Sequence, residues 1–204
     1  TAKEAVKYAT GKGIDVIITD HHTIPSNKPN PYSLVHTTKL SGSAVSWFLM
    51  REVMLKLNKE VPTPSGRDPD RIVGEKIGLC AIGTVADLLP VTGVNRSIIS
   101  HGIRQLRITK RPGLLALFKE SAVIQKDLDT YHIGYIIAPR INATGRITHG
   151  MNSLRLLCTN SDVKAKEYAF DLGETNRERR KITIETAVHA DGIFEKNSKN
   201  NKNK

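Results

Sequence analysis

Asp20-His21-His22 closes the apolar run at 14–19 (IDVIIT), and two imidazoles beside a carboxylate are the side chains in this chain best suited to hold a divalent cation while still touching a phosphate. A second candidate, Asp87, stands between Val85-Ala86 and Leu88-Leu89. A carboxylate in such apolar company is costly unless something neutralises it, and metal coordination does so. Pro90 and Thr92-Gly93 follow closely, so the chain is expected to turn there. The third candidate is the segment 138–146 (APRINATGR), with Arg140, Asn142 and Arg146 around Pro139 and Gly145. Guanidinium forks match phosphate oxygens, and a helix interrupted by proline and glycine can aim both forks to one side. Read structurally, the same pair would be solvated arginines at a helix end.

These groups need elements to place them. The β-branched run after Gly13 reads as a buried strand of a parallel sheet, and open α/β sheets bind ligands beyond the carboxyl ends of their strands. A helix over 1–10 is stopped by Gly11 and Gly13, and Pro25, Pro29 and Pro31 impose an extended loop after the strand. Residues 41–57 read as a helix capped by Ser41 or Ser43, with a loop at 61–69 and a further helix over 72–82 leading towards Asp87. Ile98, Ile99, Ile103 and Leu106 mark another helix. Beyond 108 every segment reads helical: 113–120, 130–138, 153–159 and a long stretch from 162 towards 195. The expected fold is α/β over 1–107, a helical region over 108–195, and a disordered Lys/Asn tail over 196–204 (KNSKNNKNK).

The 204 residues carry a formal charge of +11, and it is uneven: 12 Lys/Arg face 9 Asp/Glu in 1–99, against 19 and 11 in 100–204. A basic half in a chain with a candidate cation site favours a polyanionic partner, nucleic acid before membrane. Aromatics make up only 5%, so base stacking is not the main expectation. Cys80 and Cys158 lack the spacing of a zinc site or a disulfide framework and read as buried thiols of a reducing compartment. With no apolar run of membrane-spanning length, a cytoplasmic location and no membrane partner are expected.

In this order, "TDHH" after a hydrophobic strand, "GTVADLLPVTGVNR" at 83–96 and "PRINATGRI" at 139–147 resemble the RecJ family of single-strand-specific exonucleases, within the DHH phosphoesterase superfamily. "SGSAVSWFL" at 41–49 and "LGETNRERRKI" at 172–182 are similar to weaker segments of that family. The resemblance implies the back half of a DHH domain, a parallel sheet with helices, followed by an all-helical region. It implies 5′→3′ hydrolysis of single-stranded DNA in recombination and repair, with Mn²⁺ or Mg²⁺ in a two-metal site. By position, His21 and Asp87 become metal ligands and His22 a catalytic group beside the metals. Asp20 orients the two histidines, either as a partner of His21 or near the metals, and Arg140, Asn142 and Arg146 hold DNA phosphate.

The departures set limits. The family also requires an Asp-x-Asp motif and another Asp ahead of the DHH strand, and only nineteen residues precede Asp20. Asp68-Pro69-Asp70 and Asp127-Leu128-Asp129 have that spelling but lie downstream, and read as decoys. The expectation is therefore a fragment of a nuclease, inactive by itself, with protein partners unspecified. The alternatives are a DHH phosphodiesterase of short oligonucleotides or cyclic dinucleotides, and a non-catalytic replication scaffold.

Overall fold

The computed structural model describes residues 3–24, 26–60, 69–147 and 150–202, with side chains described for these except 58–60, 69–72, 146–147 and 195–202. The chain divides into two compact units, Thr1–Thr109 with Gln125–Gly134, and Lys110–Ile124 with Tyr135–Lys204. The sequence reading placed everything past 107 in the helical region, whereas Gln125–Gly134 belongs with the first unit.

The first unit opens with α1 (Lys3–Gly11), followed by β1 (Ile17–Asp20) and β2 (Ser33–His36). The two strands pair in parallel, with Ile17 opposite Ser33 and Asp20 opposite His36. The parallel pairing agrees with expectation, but the strand is not buried: Ile14 and Ile17 are 58% and 59% exposed. Among the described residues β1 has one neighbouring strand, and α2 packs on this pair. β2 lies just past the proline-rich loop, where the sequence suggests no element.

Helices α2 (Gly42–Glu60), α3 (Pro69–Ala86) and α4 (Gly93–Leu106) follow in this unit, with α3 packed against both of the others. Ser41 caps α2 as expected, its Oγ accepting the Ala44 N–H at 3.2 Å. Ala44, Cys80, Ala81 and Ile98 form the core of the three helices, and Leu40, Trp47 and Phe48 pack against it. Small residues predominate in that core, so α2 and α3 approach closely. Burial pushes the Cys80 thiol up to about 11. Cys158, read as buried, is exposed at the last residue of α7.

The second unit is helical: α5 (Pro112–Glu120), α6 (Ala138–Ile147), α7 (Met151–Cys158) and α8 (Asp162–Lys202). Leu114, Leu117, Phe118, Leu156 and Leu172 are buried in it. α5 starts on Pro112, which fixes a helical φ where no N–H partner exists. It ends with Ala122 at φ 56 and the Val123 N–H returning to the Phe118 carbonyl at 2.8 Å, a Schellman closure built on alanine. α8 runs to Lys202, through the stretch expected to be a disordered tail. The expected break at Pro139 is absent too. A π-helical segment, His132–Ile137, leads straight into α6, and its wider hydrogen-bond register accommodates a proline that has no N–H to give. No described helix is long and apolar enough to cross a membrane.

Candidate metal and phosphate site

β1 delivers Asp20 at its last position, with His21 and His22 just beyond the carboxyl end. The Asp20 carboxylate folds back on the two residues that follow it. Its Oδ1 accepts the backbone N–H of His21 at 2.7 Å and of His22 at 3.1 Å, and the His22 Nδ1–H at 2.7 Å. The His22 ring contributes most to holding the Asp20 carboxyl down at about 2, and the backbone donors add to it. A carboxylate so held is an acceptor only, so His22 donates through Nδ1 and turns Nε2 away from Asp20. The His22 side chain is 77% exposed.

His21 takes the other direction. Its Nδ1 lies 3.2 Å from Asp87 Oδ2, and the imidazole is the less exposed of the two, at 21%. Its ring also rests on the first residue of α2: a Cβ at Gly42 would sit 3.2 Å from His21 Cδ2. Asp87 follows the last residue of α3, with its N–H bonded to the Gly83 carbonyl at 3.0 Å. Leu88 then turns into the left-handed region at φ 54 and is 89% exposed. The turn expected after Asp87 is there. The burial is not, because the Asp87 side chain is 40% exposed.

Contacts that sequence reading missed set this edge. His36, opposite Asp20 on β2, donates its Nε2–H to the His22 carbonyl at 2.7 Å. Behind Gly42, Ser41 Oγ bonds Thr84 Oγ1 at 3.0 Å, Thr84 bonds the Cys80 carbonyl at 2.9 Å, and Ser43 donates to the same carbonyl at 3.2 Å. These hydroxyls tie the start of α2, against which the His21 ring rests, to the end of α3, which Asp87 follows. No sequence signal marks them beyond the capping spelling of Ser41.

A cation at ~2.1 Å from each of two ligands at right angles separates the ligand atoms by about 3 Å. The His21–Asp87 pair at 3.2 Å fits such an arrangement. Asp20 and His22 are turned to each other instead, although the two imidazole rings stand only 4.4 Å apart. Among the described residues no group of three or more His, Cys, Asp or Glu side chains gathers as a metal-binding cluster. Among the described residues, His21 and Asp87 are the candidate pair whose donor atoms converge at this edge. A cavity of about 540 Å³ lined by residues such as Lys39, Pro90 and Asn95 takes in none of these side chains.

The phosphate-binding candidates lie on α6 in the second unit. Arg140 is not a solvated fork: its Nε–H donates to Glu120 Oε2 at 2.8 Å and its Nη1–H to the Ile136 carbonyl at 2.9 Å. Asn142 is exposed, and the side chain of Arg146 lies outside the described residues.

Fold and site together define an α/β unit that brings imidazole and carboxylate to the ends of parallel strands, followed by helices. No protein-family model matches the chain. It is 33% identical over 190 residues to the single-stranded-DNA-specific exonuclease RecJ of Bacillus subtilis, covering 89% of this chain and 22% of that protein. It is also 33% identical over 189 residues to RecJ of Dickeya dadantii, covering 88% and 33%. The chain thus spans no more than a third of the length of either relative. RecJ from Thermus thermophilus, solved in complex with Mn²⁺, superposes with a TM-score of 0.75 at 28% identity over 92% of this chain and 28% of that one. The chain belongs to the RecJ family, as a partial region of it.

Proposed function

We propose that this chain is the part of a RecJ-type, single-strand-specific 5′→3′ exonuclease that supplies one corner of the metal site and a phosphate-gripping helix. The convergence of His21 Nδ1 and Asp87 Oδ2 at 3.2 Å, 66 positions apart in sequence, carries this reading. The RecJ relatives favour it over an oligonucleotide phosphodiesterase or a scaffold.

His21 and Asp87 would hold one divalent cation through Nδ1 and Oδ2. Bound metal supplies charge neutralisation at phosphate oxygens and a water of lowered pKa. His22, with Nδ1–H committed to Asp20, presents Nε2 as an acceptor towards the reacting phosphodiester and can take a proton from an attacking water. Asp20 keeps that tautomer and stabilises the imidazolium that forms. His36 holds the backbone carbonyl of His22, and so the direction from which the ring reaches the substrate.

Two arms test this. Mn²⁺ titrated into the isolated chain should show one weak site, lost in both His21→Ala and Asp87→Ala; binding unchanged in both variants would refute the assignment. A RecJ carrying this chain in place of its matching region should release mononucleotides from 5′-labelled single strands, and His22→Ala should abolish that release. The isolated chain should release none at a steady rate, because two donors leave most of the coordination sphere to water.

A further inference from the structure

Glu120, the last residue of α5, makes contacts that the functional reading above does not use. Its two oxygens accept from different arginines on different helices. Oε2 takes the Arg140 Nε–H at 2.8 Å, and Oε1 takes the Arg177 Nη1–H at 3.0 Å. The Glu120 side chain is 11% exposed and that of Arg140 17%. Arg177 is half-exposed and is also gripped by Glu174 through Nε and Nη2. Exposed Arg180 and Lys181 follow on the same helix, in the run RERRK.

An ion pair this secluded is a poor way to gain stability, since an apolar pair of similar volume generally does as well or better. The chain also gives up helix propensity for it. A Cβ at Gly173, inside α8, would overlap Glu120 Oε1, so only glycine lets the carboxylate lie against the α8 backbone. Glycine within a helix costs about 1 kcal/mol relative to alanine. What the arrangement does provide is orientation. The bonds named occupy two of Arg140's five N–H groups and three of Arg177's, so both guanidinium groups are fixed while keeping donors in hand.

We propose that Glu120 is a positioning residue for nucleic-acid backbone: one carboxylate holds Arg140 and Arg177 as a two-arginine clamp for a phosphodiester. This rests on the single-stranded-DNA reading above. The sign of the effect separates positioning from charge. Glu120→Gln removes a negative charge beside the phosphate path, which by Coulomb attraction alone tightens DNA binding. Loss of a positioned clamp weakens it.

The test uses the whole 204-residue chain and a fluorescent oligothymidylate, read by anisotropy across a salt series. Glu120→Gln should bind roughly tenfold more weakly, the loss of about one charge-assisted hydrogen bond. The slope of log K against log salt should become shallower by roughly 0.7 for each phosphate that the clamp no longer holds. If that variant fails to fold, Glu120→Asp, which keeps the charge but withdraws the carboxylate by one methylene, should show the same loss. Unchanged or tighter binding in the folded variant, with the wild type binding, overturns the clamp and leaves the DNA reading standing. A wild-type chain that does not bind DNA at low salt overturns both.

Discussion

Gly83→Ala should separate the two candidate metal ligands without touching either. Gly83 lies one turn before Asp87 on α3, and a Cβ there would stand 2.7 Å from Ser43 Cβ and overlap Ser43 Oγ. Non-bonded carbons rest at ~3.5–4.0 Å, so α3 must retreat from α2 by roughly 1 Å. Ser43 cannot relieve this by changing rotamer, because its Cβ is fixed to the α2 backbone. Beside Ser43 on α2 is Gly42, on which the His21 ring rests. The retreat therefore carries Asp87 away from His21, stretching the present 3.2 Å to about 4 Å, beyond the ~3.4 Å that two adjacent ligands of a tetrahedral cation span. Overpacking of this kind costs about 1–3 kcal/mol of stability, and misplacing a ligand through its support costs roughly 10–100-fold in metal affinity. Chemical denaturation and calorimetric titration with Mn²⁺ read the two effects independently. Adding Ser43→Gly makes room for the new methyl and should restore Mn²⁺ affinity. Retention of full affinity in the single variant, or failure of the double variant to recover it, would refute the idea that the α2–α3 seam sets the site.

Gly42→Ala should lower Mn²⁺ affinity with little loss of stability, since its Cβ meets only the His21 ring at 3.2 Å; equal affinity would show that the ring has room to move. The Asp20 carboxyl, lowered from 3.8 to about 2, contributes stability above the unfolded value, and this is lost as pH falls from about 4 through about 2. The group is 41% exposed, so NMR titration is the proper readout, and His22→Ala should raise the midpoint towards 3.8, with the backbone donors of His21 and His22 still holding it down in part. Iodoacetamide should modify exposed Cys158 in the folded chain and spare Cys80, whose thiol is buried and pushed up to about 11; equal labelling would contradict the packing of α3.

What the sequence made legible was local. Glycine followed by β-branched residues marked β1, helical spacing marked α2 and α4, and the polar letters after β1 marked the candidate edge; periodicity alone did not separate helix from strand over 72–82, where α3 lies. What it hid was non-local. β2 is four residues long and acquires its identity from pairing with β1, so nothing in SLVH announced that His36 would reach His22. Arg140 read as a free fork because Pro139 and Gly145 are ordinarily helix breakers. The π segment before the proline keeps the helix running, and Glu120, twenty positions away, takes one edge of the guanidinium. The order of the three motifs resembled a family, but it did not tell an aimed arginine from an anchored one.

Asp87 shows most clearly what local rules cannot deliver. A carboxylate at the carboxyl end of a helix faces the negative pole of the helix dipole, where a cation is favoured and an anion is not. The next residue, Leu88, sits at φ 54, a conformation costing a branched side chain about 1–2 kcal/mol, with its apolar surface turned to water. Asparagine at 87 and glycine at 88 would ease both penalties, and packing gives no reason against them, since neither side chain is buried. The left-handed turn ends α3 with its last carboxylate against His21 rather than one turn further on. A negative group kept at the negative end of a helix, held there by a strained turn and met by a lone imidazole, is an arrangement that a bound cation relieves. The two penalties and the 3.2 Å pairing therefore argue for the same thing from opposite sides, and they do so independently of any likeness to other proteins.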